Sequence, residues 1–276
     1  MVGAIFSFSS MAVAGRELAG SLDTFEIMMY RSAFGFLIVL AVGFLAGTLR
    51  EITRDDLGSH GLRNLAHFIG QNLWFYAVTV IPLAQVFALE FTTPLWVIVL
   101  SPFLLGERLT VIRGVAALMG FCGILVVARP EVGAVNSGMI AAASSAIFFA
   151  LTIILTKRLT RTQTITCILF YLTVMQLAFG IVAAGYDGDI ALPDLRGLPF
   201  VMLIGAAGLL AHFCIANALA IAPATVVTPL DFVRLPAIAV VGMLLYGEAL
   251  DLWVFVGALI IFSGNYLNIW SETRRH

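Results

Sequence analysis

The chain has 276 residues, of which 61% are hydrophobic and only 11% are charged. Soluble domains carry about 25% charged residues, so the composition excludes an ordinary soluble enzyme or binding module and predicts a membrane protein with several spans. The formal net charge is −1 and no basic cluster stands out, which excludes nucleic acid as an expected partner and leaves the lipid bilayer and small molecules.

A helix needs about 20 apolar residues to cross the hydrocarbon core of a bilayer. Applied along the chain, that length predicts ten spans joined by short connections, and therefore an all-α polytopic membrane protein. The longest polar stretch, Arg50–Arg63, is predicted to be a surface loop. The predicted spans are 2–19, 24–46, 64–81, 83–105, 109–128, 137–156, 163–185, 198–218, 221–246 and 250–270.

The chain contains an internal duplication at a constant spacing, which predicts two halves covering residues 1–128 and 137–270. The first span is shorter than its counterpart in the second half, which indicates either a short first helix or a natural start upstream of Met1, with the second alternative favoured. The correspondences that apolar composition does not explain are Pro82 with Pro223, Glu90 with Asp231, Gly106-Glu107 with Gly247-Glu248, and Arg16 with Lys157.

Each half contains five predicted spans, an odd number, so the second half enters the membrane from the opposite side. Such inverted repeats are typical of secondary transporters, whose binding sites lie near the bilayer midplane between the repeats. When the N-terminus is placed inside, most loop arginines and lysines fall on the same side as both termini. The positive-inside rule then predicts that the N- and C-termini are cytoplasmic.

The stretch from Phe91 to Arg129, with Pro94 and Gly106-Glu107, resembles the EamA domain of the drug/metabolite transporter superfamily, and the stretch from Pro229 to Gly264 resembles a second copy. The resemblance covers essentially the whole chain. It implies a gradient-driven transporter of a small metabolite in the bacterial inner membrane, with export as the common direction. Uptake of a vitamin or cofactor-like compound is the alternative within the family.

Charged residues inside predicted spans are the first candidates for a site, because each costs about 2.5–3.5 kcal/mol on insertion scales. Glu90 lies four residues before Pro94, which cannot donate a backbone hydrogen bond and so leaves the carbonyl of Glu90 free to join its carboxylate in an acceptor-rich site. The alternative is a proline kink that neighbouring threonines satisfy.

Asp231 is the counterpart of Glu90, and Arg234 lies on the same helical face three residues later. Asp231 is predicted to take a proton while Arg234 meets a substrate carboxylate, or else the two form a structural pair. Arg31, within the second span, is expected to line the cavity or to pair with Glu26, which could instead pair with Arg16. Further polar and aromatic candidates for the site are Gln71, Trp74, Tyr76, His212 and Asn217.

Glu107 and Glu248 are predicted to be structural helix caps. Small residues on one face of the fifth and tenth spans, Ala116/Gly123 and Gly257/Gly264, predict close helix packing, either within the bundle or in a homodimer. No HExxH, GxSxG or P-loop motif occurs in the sequence, so we expect no metal, no cofactor and no ATP hydrolysis. A membrane-embedded enzyme is the alternative from another class, and no catalytic cluster supports it.

Overall fold

Long apolar runs that end at polar caps and glycines fold into helices joined by short turns. The computed structural model of the chain describes residues 1–106, 110–128, 136–186, 188–248 and 252–273, and the regular structure of these residues is helical. The helices are α1 (Val2–Glu17), α2 (Thr24–Leu45), α3 (Leu57–Val80), α4 (Leu83–Glu90), α5 (Thr93–Leu104), α6 (Val111–Ala128), α7 (Ser137–Leu159), α8 (Ile165–Ala184), α9 (Leu198–Ile221), α10 (Ala224–Val227), α11 (Arg234–Tyr246) and α12 (Leu252–Thr273).

A helix lies within each of the ten predicted spans. By length and composition, five helices among the described residues are long and apolar enough to cross a membrane when α4 and α5 are taken together. Three shorter apolar stretches lie in α6, α11 and α12. The crossing of the membrane by the remaining helices stays a prediction. The five long helices are Thr24–Leu45, Leu83–Leu104, Ser137–Leu159, Ile165–Ala184 and Leu198–Ile221.

The sequence predicts that the polar stretch before the third span is a surface loop, but part of it is helical. A short 3₁₀ helix covers Thr48–Glu51, and α3 begins at Leu57, ahead of the predicted start at residue 64. Its early residues His60 and Arg63 are only 0% and 2% exposed. The first turns of α3 therefore lie inside the bundle.

The fourth span of each half is broken at its acidic residue. In the first half, α4 ends at Glu90 and α5 resumes at Thr93. In the second half, α10 gives way to a 3₁₀ helix over Thr228–Val233, and α11 starts at Arg234. Discontinuous helices place polar backbone and side chains at membrane depth, and this is tolerated where they are buried in protein or line a cavity.

The most extensive helix contacts join the two halves, with α1 on α9, α2 on α8, α3 on α7 and α6 on α12. The predicted small-residue faces meet in the last of these pairs. A Cβ atom on Gly123 would lie 2.7 Å from the carbonyl oxygen of Gly257, and one on Gly264 would lie 2.9 Å from that of Ala116. The close packing predicted for these faces is therefore found within one chain.

Replacing Gly264 by alanine is expected to destabilise the protein by about 1–3 kcal/mol, because the added methyl group meets backbone and α6 must move away. Thermal unfolding in detergent measures the effect. Gly114→Ala is the matched control, since a Cβ atom there meets nothing within 4 Å and alanine favours helix. Equal melting temperatures for the two variants would contradict this packing.

Two cations hold equivalent helix ends in the two halves. Arg16 donates from Nη2 to the carbonyls of Val78, at 2.8 Å, and Ile81, where α3 ends. Lys157 donates from Nζ to the carbonyls of Leu219 and Ala222, at 2.5 and 2.9 Å, where α9 ends. The duplicated positions thus repeat one contact: a cation satisfies carbonyls that a helix C-terminus leaves unpaired.

Glu248 binds a helix N-terminus as predicted, but the helix is α4 of the other half. Its Oε1 accepts a hydrogen bond from the backbone N–H of Leu83 at 3.1 Å, and it also pairs with Arg16. The preceding Gly247 has a φ of 64°, a left-handed conformation that favours glycine. The corresponding prediction for Glu107 lies outside the described residues.

Candidate functional site

A cavity opens between the halves where α3, α7 and α9 face the two broken spans. Its water-accessible volume is about 90 Å³, which is several times the volume that one water molecule needs on the same measure. The lining residues are Met1, Phe8, Arg63, His67, Gln71, Trp74, Glu90, Phe91, Thr93, Pro94, Phe149, Thr152, Ile153, Thr156, His212, Ile215, Leu219, Val227, Thr228, Asp231 and Arg234.

The cavity lining contains an ionic triad that joins the two halves. Nη2 of Arg234 lies 2.6 Å from Oε1 of Glu90 and 2.6 Å from Oδ2 of Asp231. Arg234 is only 1% exposed. The duplicated acids therefore share one guanidinium, and the triad has a charge of −1 when both are ionised and of zero when one is protonated.

Aromatic rings surround the guanidinium of Arg234. Its Cζ atom lies 4.8 Å from the ring centroid of Phe8, 4.7 Å from that of Phe87 and 5.5 Å from that of Phe91. Cation–π contacts of this kind gain strength when they are desolvated. The rings hold the arginine in place and keep water from one side of the triad.

Trp74 and Thr93 complete the surroundings of Glu90. The indole Nε1 of Trp74 donates to Oε2 of Glu90 at 2.6 Å. The hydroxyl of Thr93 donates to the backbone carbonyl of Glu90 at 2.6 Å. A neighbouring threonine therefore satisfies the backbone carbonyl of Glu90, as the alternative for this proline kink predicted. The carboxylate of Glu90 is the part of this residue that contacts Arg234.

Arg63 also lines the cavity, although the sequence predicts it in a loop. Its Nε donates to the Thr156 hydroxyl at 3.1 Å, and its Nη1 donates to the Asn64 side-chain oxygen at 2.8 Å. Its Nη2 lies 3.4 Å from Nδ1 of His212. The rings of His212 and His67 meet edge to face, with centroids 4.6 Å apart.

Most of the sequence-predicted candidates come together in this cavity, and Arg31 does not. The six that line it are Gln71, Trp74, Glu90, His212, Asp231 and Arg234. Arg31 instead lines a small pocket between α2, α8 and α9, where its Nη1 contacts Sδ of Met28 at 3.6 Å.

The predicted pairs with Glu26 are wrong. The carboxylate of Glu26 accepts from the backbone N–H groups of Asp23 and Ala191, at 2.8 and 2.5 Å. Asp23 in turn accepts from the backbone N–H of Glu26, and this capping box starts α2. Glu26 is thus occupied by backbone donors, whereas Arg16 pairs with Glu248.

Tyr76 and Asn217 also lie outside the cavity. Tyr76 is 40% exposed, and its hydroxyl lies 2.9 Å from that of Ser137. The side-chain amide of Asn217 donates to the carbonyl of Phe213, one turn back in its own helix, at 2.8 Å. Tyr76 and Asn217 occupy equivalent positions in the duplication, 141 residues apart, which predicts that they lie at the same depth. That correspondence does not bring them to a common site.

The sequence does contain a signal that would have found Arg63. Polar side chains recur every three or four residues along α3, and this spacing places them on one helical face. A polar stripe that continues past a predicted span boundary indicates that the helix and its buried face continue too. The stripe comprises His60, Arg63, Asn64, His67 and Gln71.

Among the described residues, no group of three His, Cys, Asp or Glu side chains is placed to hold a metal ion. The cavity lining instead combines two acidic groups, two arginines, two histidines and apolar side chains. This arrangement suits an organic molecule that carries polar groups, since ligand sites are mostly apolar with a few placed polar groups.

Comparison with known proteins agrees with this architecture. A solved crystal structure has a similar fold, with a TM-score of 0.78 and 19% identity over 100% of this chain and 96% of that one. An S-adenosylmethionine uptake transporter of Rickettsia bellii is 26% identical, covering 98% of this chain and 92% of its own. A riboflavin transporter of Vibrio cholerae is 26% identical, covering 99% and 92%. A pseudopaline exporter of Pseudomonas aeruginosa is 25% identical, covering 94% and 90%.

The family model named EamA-like transporter family matches residues 1–129 and again residues 136–270. Both halves therefore match the same model, and together they span nearly the whole chain. The described helices and the transporter names of the relatives agree with it. The protein is a multi-pass membrane protein and a small-molecule transporter, not an enzyme, and it belongs to the EamA-like transporter family.

Proposed function

We propose that the protein is a proton-coupled secondary transporter of a small organic metabolite in the bacterial inner membrane. It has ten spans arranged as two inverted repeats, 1–128 and 137–270, with both termini in the cytoplasm. The observation that carries the proposal is the triad of Glu90, Asp231 and Arg234, formed where both fourth spans break. The transported molecule binds in the adjoining cavity.

Coupling follows from the charge of the triad. Two carboxylates share one guanidinium, so one proton is enough to bring the group to neutrality. A buried net charge is costly, and a cation or hydrogen-bond donor on the substrate can take the place of that proton. The proton and the substrate then compete for the same carboxylates. This competition couples the movement of protons in one direction to the movement of substrate in the other.

The proposed direction is export, with protons moving inward as the metabolite leaves. Uptake is the second candidate, because relatives named as S-adenosylmethionine uptake transporters share the full length of the chain. S-Adenosylmethionine and riboflavin are accordingly the first molecules to test, followed by amino acids, nucleosides and vitamins. Driving transport with pH gradients of opposite sign separates the two directions.

Replacing Glu90 by glutamine is expected to abolish transport driven by a pH gradient while leaving exchange down a substrate gradient, because the triad then needs no proton to be neutral. The measurement uses proteoliposomes loaded with a radiolabelled substrate and a pH-sensitive dye. Coupled flux should fall by about 100-fold or more, the scale on which placed proton-transfer groups act.

Glu51→Gln is the matched control, since it removes a carboxylate of the same type from an exposed position. A Glu90→Gln protein that still moves protons and substrate together at the wild-type ratio would rule out this coupling role. Asp231→Asn tests the second acid in the same assay.

A further inference from the structure

Arg63 is a buried cation on the cavity wall whose described neighbours leave its charge uncompensated. It is 2% exposed, and none of the ion pairs among the described residues includes it. Its polar contacts are a hydroxyl, a side-chain amide oxygen and a histidine ring nitrogen. All three are neutral acceptors when the histidine is neutral.

A second buried cation lies nearby. The guanidinium of Arg31 is close enough to Arg63 to repel it electrostatically, and Arg31 is 6% exposed. Arg31 has no acidic partner among the described residues either, since its described side-chain contact is with the sulfur of Met28. Two buried cations therefore act on each other, and leaving such charges without a counter-ion is expensive.

Unused hydrogen-bonding atoms lie beside Arg63 in the same cavity. Nε2 of His212 and both ring nitrogens of His67 are buried without a hydrogen-bond partner in the described part of the chain. His212 is 7% exposed and His67 is 2% exposed. Buried polar atoms are normally paired, so unpaired ones on a cavity wall indicate atoms that a ligand would satisfy.

We propose that Arg63, His67 and His212, here called the basic cluster, bind an oxyanion of the transported molecule, either a carboxylate or a phosphate. The inference rests on the proposed function, because it assigns a role to residues that line the same cavity. An anion there supplies the missing counter-charge and accepts charge-assisted hydrogen bonds from the guanidinium.

The same arrangement changes the predicted role of Arg234. Nε and Nη1 of that arginine also have no described hydrogen-bond partner, but its charge is already shared by two carboxylates. An incoming anion would therefore meet a compensated charge at Arg234, which aromatic rings also surround. Arg63 has no such competitor among the described residues. The substrate is thus oriented with its anionic group towards α3 and α9 and its body between rings such as Phe8 and Phe149.

The test compares three probes with a common phenyl group: 3-phenylpropionate, phenyl phosphate and 2-phenylethylamine. Their saturable effect on the melting temperature of the purified full-length protein is measured in a low-chloride buffer. The wild type is compared with Arg63→Gln and Arg63→Lys, and Arg50→Gln serves as the control because Arg50 is exposed.

We expect the two acids to stabilise the wild type, and Arg63→Gln to weaken their binding by about ten-fold or more, as the loss of a charged hydrogen bond implies. Binding of the amine should be unchanged in that variant, and Arg63→Lys should retain part of the affinity for the acids. Preference for 3-phenylpropionate or for phenyl phosphate distinguishes a carboxylate site from a phosphate site.

The proposal is overturned if neither acid stabilises the wild type, if acids and amine do so equally, or if Arg63→Gln leaves the affinity for the acids unchanged. Should Arg63→Gln fail to fold, His212→Leu is the second variant, because it keeps the charge of Arg63 and removes a neighbouring member of the basic cluster. Binding of the two acids must then be weaker than in the wild type. The binding site and the proposed transport can fail separately. If acid binding depends on Arg63 but the protein moves no metabolite across vesicle membranes, the site is supported and the proposed transport is refuted.

Discussion

Replacing Arg234 by methionine is expected to lower the free energy of unfolding by about 3–5 kcal/mol, the cost of removing one partner from a buried ionic group. Glu90 and Asp231 would then face each other without the guanidinium that both contact at 2.6 Å. The aromatic rings around the position accept a methionine side chain, so lost charge and not lost volume dominates the effect. Thermal unfolding and the monodisperse fraction after detergent extraction measure it.

A charge-neutral triad provides the control. Combining Arg234→Met with Glu90→Gln and Asp231→Asn removes all three charges, and we expect it to recover most of the lost stability without recovering transport. Arg50→Met, at an exposed position, should be neutral. If the single and triple variants were equally unstable, the triad would not be held by its charges.

Replacing Arg16 by methionine is expected to cost about 2–4 kcal/mol, because several buried acceptors lose their donor together. Arg16 binds the carbonyls of Val78 and Ile81 at the end of α3, and it pairs with Glu248 from the other half. Its loss frees the end of α3 and also leaves a partly buried carboxylate without its cation. Thermal unfolding at two salt concentrations separates these parts, since salt screens only the exposed share of the ion pair.

Arg16→Lys is the matched variant, because a lysine at the equivalent position of the second half, Lys157, does bind the corresponding two carbonyls. It should therefore retain the carbonyl contacts and much of the stability. Arg16→Met as stable as the wild type would show that these contacts contribute nothing net.

Patterns local in sequence predict much of this fold. Apolar length placed a helix in each predicted span, and the duplication singled out Glu90 and Asp231, which the structure brings to one arginine. The duplication could be read because a proline, a Gly-Glu pair and acids recur where apolar composition would not place them. These signals depend on residues within one helix or one repeat.

The failures concern partners that lie far apart in the chain. The sequence offers nearby Glu26 as an alternative partner for Arg16, but its carboxylate partner is Glu248, which only packing of the two halves brings close. Arg63 was assigned to a loop because neighbouring charges marked the stretch as polar, although its helix continues and packs against α7 and α8. Tyr76 and Asn217 share a depth but not a direction, since depth along a helix does not specify the face.

The duplicated contact at the ends of α3 and α9 also predicts how firmly each of these helix ends is held. Arginine offers five donors in a rigid fork, whereas lysine offers one compact and flexible charge. Arg16 binds two carbonyls and also pairs with Glu248 from the other half. The last turn of α3 is therefore expected to open less often than that of α9, and slower exchange of its backbone amide hydrogens would show this.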